Sequence, residues 1–254
     1  MKGSKTKGSV QMSWAGFKEL TVVKVKQENY HIKSYYLKAN DGEMPNYKPG
    51  QFLPIQVEID GTPQMRRYTL SGNPEQSGEY RLTIKREPNG VVSNYFHDHI
   101  HEGDTIKAMP PFGKFCLDEN TERPIVLLGG GIGVTPMLSM LYRAVSQKKD
   151  IHFVYGATQG DHLVLTDEIE ALKQQHPFHY DILLSQPTDE DKKNQIATHE
   201  QRVSAEWIET HLPLEAEFYF CGPVGFMETI KTSLIGLGVP EERIHYEFFG
   251  KKAF

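Results

Sequence analysis

Residues 127–138, LLGGGIGVTPML, run an apolar stretch into glycines and then into a helix start, the order a phosphate-binding turn requires. Glycines let a backbone approach a pyrophosphate with no Cβ in the way, and the first free N–H groups of a helix point at the anion. Thr135 is placed to cap that helix, and Pro136 suits its first turn. The spacing departs from the dinucleotide fingerprint. Gly131-Ile132-Gly133 is followed by Pro136 where a third glycine would stand, and no carboxylate closes the next strand, IHFVYGA, to hold a ribose. A second candidate is RRYTLS, residues 66–71, where strand alternation puts Arg66 and Tyr68 on one face, a cation and an aromatic ring for one ligand. A third is PNGVVS, residues 88–93, a turn leading into a helix with Ser93 as its cap and free amides for another phosphate. Two phosphate sites imply two nucleotides.

Two kinds of element must position these groups. Up to about Arg123 the chain consists of short alternating or β-branched runs: LTVVKVK, IKSYYLKA, QFLPIQVEI, RRYTLS, YRLTIKRE and DTIKAM. Turn residues punctuate them, with Asp60-Gly61 reading as a hairpin, and one helical insertion, VSNYFHDHI, interrupts them. This pattern predicts a small antiparallel barrel over 17–121. Over 122–254 the rhythm becomes strand, helix, strand, which predicts a parallel sheet covered by helices. Ligands on such sheets bind beyond the carboxyl ends of the strands, so the ends GGGIG, YGAT and CGPVG are expected to share one site. The fold class is therefore two-domain, β followed by α/β.

Composition narrows the function. The chain has 254 residues, 38% of them hydrophobic, enough for two packed domains. A net charge of −5, from 28 basic and 33 acidic residues spread along the chain, offers no basic stripe for nucleic acid. Cys116 and Cys221 are the only cysteines, too few for a thiolate-held iron–sulfur cluster or a disulfide framework. No run reaches membrane-span length and the opening residues lack a signal-peptide core, so a cytoplasmic location and no membrane partner are expected. Residues 1–16, basic and rich in glycine and serine, read as a flexible tail or linker.

Five motifs in order, YKPGQF, RRYTLS, KREPNGVVSNY, GGGIGVTPML with CGPVGFM, and IHYEFFG, resemble those of the ferredoxin reductase superfamily, and above all the reductase module of flavohemoglobins. The resemblance runs from Phe17 to Gly250. It implies an FAD-dependent NAD(P)H oxidoreductase. By position, Arg66 would neutralise the FAD pyrophosphate, Tyr68 would pack on the isoalloxazine, Thr69 would hydrogen-bond near its N5, and Phe52 would help cover it. Gly90, Val91, Val92 and Ser93 would give donors to the diphosphate. Gly131, Gly133, Thr135 and Pro136 would receive the nicotinamide nucleotide, and Cys221, Gly222 and Pro223 would border its ring. Phe249 would stack on the flavin face that nicotinamide must occupy, with Glu247 beside it, so that Thr69, Cys221, Glu247 and Phe249 form the implied catalytic set. Hydride transfer needs two aligned rings at near contact more than it needs acid–base groups.

Each residue also has a plainer reading. Tyr68 and Phe52 on strands, or Cys221 alone, would ordinarily be core residues, and Glu247 a solvated carboxylate. His97 and His101 share a helical face but lack a third ligand, so no metal is expected and a polar helix end is the reading. The run Asp189-Glu190-Asp191 reads as a solvated loop whose charge would repel a 2′-phosphate, and Gln186 stands where NADPH-specific relatives place arginine. NADH is therefore the expected donor, with Lys192 and Lys193 keeping NADPH open. No globin pattern precedes the barrel, and the FFG motif continues as Lys251-Lys252-Ala253-Phe254 without the family's proline, so nitric oxide dioxygenation is not assigned to these residues alone. The expected partner is a redox acceptor, separate or fused, such as a haem protein, an iron–sulfur protein or a flavodoxin. A reductase that releases free flavin and a nucleotide-binding regulatory subunit are the alternatives. Arg66 and Tyr68 speak against the first, and Thr69, Cys221 and Phe249 against the second.

Overall fold

The computed structural model describes residues 14–42, 44–76 and 78–249. Residues 1–13 of the expected tail, and Gly250 with the Lys251–Phe254 segment, lie outside them.

Six strands build the first half: β1 (Lys18–Asn29), β2 (Ile32–Ala39), β3 (Phe52–Ile59), β4 (Thr62–Thr69), β5 (Tyr80–Lys85) and β6 (Thr105–Ala108), in the spatial order β4-β3-β6-β1-β2-β5. All of these pairings are antiparallel, and a bridge between Leu70 and Leu82 brings the two edges together as a barrel. The hairpin predicted at Asp60-Gly61 is present. Both residues have positive φ, 50° and 72°, as a two-residue turn between right-twisted strands demands. Alternating side chains such as Leu20, Val22, Tyr35, Leu37, Leu53 and Ile55 fill the interior. The inserted helix α1 (Val91–His99) packs Phe96 into that core, edge-on to Tyr35 at 5.2 Å between ring centres.

The second half holds five parallel strands, β7 (Ile125–Gly130), β8 (Ile151–Ala157), β9 (His179–Leu184), β10 (Glu217–Cys221) and β11 (Ile244–Tyr246), in the order β11-β10-β7-β8-β9. Helices α2 (Val134–Ser146) and α3 (Thr166–Gln175) cover one face, while α5 (Ala205–His211) and α6 (Val224–Gly236) cover the other. Burial on both faces explains why β7 reads as an unbroken apolar run rather than an alternating one. The strand order reverses between β7 and β10, the place where doubly wound sheets open a crevice.

The expected loop at Asp189-Glu190-Asp191 is instead a short helix, α4 (Asp189–Lys193), begun by a reciprocal capping box between Thr188 and Asp191. Among the described residues no helix is long and apolar enough to cross a membrane.

Candidate functional site

The strand ends after β7, β8 and β10 meet in one cleft of about 1180 Å³. Its wall on the α/β side includes Gly130, Gly131, Ile132, Gly156, Thr158, Pro223 and Phe226, and the barrel contributes His31, Lys85, Arg86, Pro88, Asn94 and Asp98. Arg86 and Asp98 form a two-pronged pair on the barrel wall, with bonds of 2.8 and 2.7 Å.

Three glycines there share a packing cause. A Cβ on Gly130 or Gly222 would lie 2.9 or 2.8 Å from the Phe226 ring, closer than packing allows without a shift, and one on Gly156 would lie at a tight 3.1 Å, so one aromatic side chain presses on all three. Gly131 differs. Its φ is +51° and nothing stands within 4 Å of where a Cβ would point, which leaves its peptide open to the cleft. A Cβ on Gly133 would lie 2.1 Å from the Cys221 carbonyl oxygen, so that glycine lets the turns after β7 and β10 close on one another. Sequence reasoning placed Gly131 and Gly133 in one role, and the structure gives them two.

Several expected roles change with the local geometry. Thr135 does not cap α2. Gly133 is the N-cap, and Thr135, buried at the second position of the helix, donates its hydroxyl to the Ile132 carbonyl at 3.0 Å. Pro136 follows in the first turn, where its missing N–H leaves no partner unpaid, and it too is buried. Cys221 is fully buried rather than facing the cleft. Its thiol donates to the Glu247 carbonyl at 3.3 Å, and burial raises its pKa well above the ordinary value. Of the CGP turn, Pro223 alone lines the cleft. Phe226, Gln201, Arg202 and His162 line it and were not singled out from sequence. Arg202 is reached through a loop on which His199 bridges to β9, a long-range placement with no local signature, whereas the CGPVGFM motif did contain Phe226.

The residues expected on the flavin side lie on β3, β4 and α1 and in the segment after β11. Arg66 is exposed and donates to the Met65 carbonyl at 2.7 Å. Tyr68 is half-buried against Phe96 of α1, at 5.9 Å between ring centres, and burial pushes its phenol up to about 12 against the opposing pull of Arg66. Thr69 is buried at the end of β4, opposite Phe52 on β3. Phe52 is itself buried, with Arg67 over its ring at 5.3 Å and the exposed Phe112 against its edge. Phe112 was not anticipated. Gly90, not Ser93, is the N-cap of α1. Ser93 sits one turn in, accepting from the Glu87 N–H and donating to the Gly90 carbonyl, both at 3.2 Å. Val92 is buried beneath it, and Val91 is exposed. Glu247 is half-buried, its carboxyl raised by burial while Arg67 pulls the other way, and Phe249 is exposed.

These residues fit an FAD. The first turn of α1 has no side-chain cap and no acidic residue, so its leading amides are left for an outside acceptor, and Arg66 is a solvent-facing guanidinium on the strand whose Tyr68 packs against α1. The histidines do not assemble. α1 ends at His99, His97 donates inward to the Ile84 carbonyl at 3.0 Å, and His101 sits beyond the helix beside Asp104.

The charge expected to repel a 2′-phosphate is also rearranged. Asp191 is buried and accepts from the Thr188 and Gly160 amides at 2.8 and 3.1 Å, which holds its carboxyl below the ordinary range.

Comparison with known proteins agrees with this layout. The family "Oxidoreductase FAD-binding domain" matches residues 19–116, and "Oxidoreductase NAD-binding domain" matches residues 127–232. A flavohemoprotein from Halalkalibacterium halodurans is 41% identical over 250 residues, covering 93% of this chain; the chain spans 61% of that relative's length. The flavohem-like FAD/NAD-binding domain of nitric oxide dioxygenase from Vibrio cholerae superposes with a TM-score of 0.82 at 32% identity, over 92% of this chain and 99% of that one. A flavohemoglobin from Malassezia yamatoensis, solved with bound FAD and heme, shares the fold at a TM-score of 0.82 and 24% identity, over 92% of this chain and 60% of that one.

Proposed function

This chain belongs to the FAD/NAD-binding reductase domains of the flavohemoprotein type, and on that premise we propose that it passes a hydride from NADH to FAD and then single electrons to a redox acceptor. The carrying observation is the cleft where GGGIG, YGAT and CGPVG converge opposite the barrel. We divide the chain accordingly into an FAD-binding barrel over 17–121 and a nucleotide-binding domain over 122–254.

When bound, FAD supplies the hydride acceptor and the conversion from two-electron to one-electron chemistry. The protein's own residues bind and orient. Arg66 and the leading amides of α1 at Val91, Val92 and Ser93 would hold the diphosphate, Tyr68 and Phe249 would pack against the ring, and Thr69 would hydrogen-bond at its reactive edge; the Gly90 N–H is taken by the Glu87 carbonyl at 3.0 Å. The open peptide at Gly131 and the Phe226 floor receive the nicotinamide nucleotide, and Pro223 guides its ring. Cys221 acts as a protonated packing residue that ties the CGP turn to Glu247, consistent with its burial.

A second reading, use of NADPH, is favoured by Arg202. It is exposed and lines the cleft, and among the described residues its guanidinium makes no ion pair or hydrogen bond. The acceptor is proposed as a haem or iron–sulfur protein, separate or fused. Anaerobic mixing of FAD-loaded protein with each nucleotide tests the whole reading. Bleaching of the flavin band, faster with NADH, is expected. A protein that cannot retain FAD would overturn it, faster bleaching with NADPH would establish the second reading, and flavin that stays oxidised with both would favour the regulatory alternative.

A further inference from the structure

The two halves are joined outside the cleft by a charge pair between a buried arginine and a half-buried glutamate. Arg81 on β5 is 5% exposed, and its guanidinium spends its donors in two directions. Toward the barrel, Nη2 donates to the Ser71 carbonyl at 2.5 Å and Nε to the Ser71 hydroxyl at 3.2 Å. The Ser71 N–H returns a bond to the Arg81 carbonyl at 2.9 Å, and the Ser71 hydroxyl continues to Thr83 at 2.7 Å. Toward the other half, Nη1 donates to Glu168 Oε1 at 2.5 Å, and the second Glu168 oxygen accepts from the Tyr142 hydroxyl.

The endpoints matter. Ser71 lies two residues beyond Thr69, just past the end of the strand that carries Arg66 and Tyr68. Tyr142 lies on α2, the helix that begins at the glycine turn. One carboxylate and one guanidinium thus clamp the flavin strand to the nucleotide-binding helix. A cavity of about 200 Å³, lined by Tyr36, Gly72, Asn73, Arg81, Tyr142 and Glu168, opens beside the pair, so apolar packing does not fix the halves at this point. Elsewhere the seam is held by apolar packing, with Ile32, Phe115 and Leu117 of the barrel half in one buried cluster with Met137, Met140 and Leu141 of α2, and by partly exposed polar links such as Arg143 to Glu75; Arg81 to Glu168 is the ion pair that ties β5 to α3.

We propose that Arg81 and Glu168, steadied by Tyr142, are positioning residues for hydride transfer, fixing the nucleotide half against the barrel so that the donor and acceptor rings meet at reactive distance. This rests on the oxidoreductase reading above. Neither residue lines the cleft. Its effect is on the placement of two rigid elements, and a misplacement near 1 Å slows a reaction by about 100-fold.

The test is stopped-flow reduction of FAD-loaded Glu168→Gln at saturating NADH, expressed per bound flavin, with nucleotide affinity measured separately. Expected is a rate lowered by about 10- to 100-fold, NADH affinity within about two-fold of wild type, and a Glu75→Ala control at wild-type rate. A merely structural role would lower stability or flavin content and leave the rate per bound flavin unchanged. A wild-type rate in Glu168→Gln overturns the proposal. If that variant does not retain FAD, Tyr142→Phe decides: a slower rate at an unchanged melting temperature supports the proposal, and a wild-type rate overturns it. Failure of the wild-type protein to bleach with either nucleotide would overturn the oxidoreductase reading instead.

Discussion

Gly133→Ala is the substitution from which the structure predicts most. Gly133 has φ −62° and ψ −6°, a conformation open to alanine, so the whole effect is steric. The new Cβ would stand 2.1 Å from the Cys221 carbonyl oxygen, 2.4 Å from its carbon and 2.7 Å from the Gly222 nitrogen, whereas ordinary contact begins at 3.4 Å. The turns after β7 and β10 must therefore separate by about 1 Å, since both obstacles are backbone held in a parallel ladder. Overpacking of this kind costs about 1–3 kcal/mol. The same displacement moves the two turns that receive the nicotinamide nucleotide, so flavin bleaching by NADH should slow by about 100-fold. Gly238→Ala is the control. It forces alanine to φ +80° at a cost of about 1–2 kcal/mol but meets nothing and does not line the cleft, so stability falls while the rate per bound flavin stays near wild type. Thermal unfolding and stopped-flow reduction read both quantities. A Gly133→Ala protein with wild-type melting and wild-type bleaching would refute the close-packing account of this glycine.

Other consequences follow from single contacts. Arg66→Ala should weaken FAD retention by about 10- to 100-fold, the worth of one charge-assisted bond, as measured by flavin release on dilution; unchanged retention would remove Arg66 from the diphosphate site. Cys221→Ala should slow bleaching by at most about ten-fold, through loss of one bond to the Glu247 carbonyl, and the ratio to wild type should be flat from pH 6 to 9 because the buried thiol stays protonated. A ratio that changes with a thiol-like titration would contradict this. His97 is held below its ordinary value of 6.5, first by burial and then by Lys33 and Arg86, against its bond to Ile84. The unfolded chain therefore takes up the proton first, and the stability contributed by neutral His97 is full above about pH 6.5 and lost as pH falls below it. The drop in melting temperature between pH 7.5 and 5.5 should shrink in His97→Gln, and an identical drop would exclude His97 as the cause.

The elements themselves were legible because their signals are local. Period-two alternation marked the barrel strands, continuous apolar runs marked the buried parallel strands, and Asp60-Gly61 announced its turn. The capping assignments failed for a local reason too. A hydroxyl near a helix start reads as a cap, but the short 3-10 turn at Gly131–Gly133 moved the start of α2 and took Thr135 inside it, and the turn at Gly90 did the same to Ser93. Asp191 looked like a surface charge because its partner, the Gly160 amide, is 31 residues away. Arg202, Phe112 and the Arg81–Glu168 pair depend on the same kind of long-range juxtaposition, which no spacing along one chain displays.

The central claim is that a nicotinamide nucleotide, seated in the cleft at the β7–β10 switch, delivers hydride directly to FAD on the barrel. Anaerobic stopped-flow reduction with NADH carrying deuterium on one or the other face of nicotinamide C4 tests it most directly. A primary isotope effect on flavin bleaching with one deuterated face and none with the other is predicted, because Phe226, Pro223 and the opposing flavin ring admit the nicotinamide in one orientation. Bleaching with no isotope effect from either face, or no bleaching at all, would contradict it.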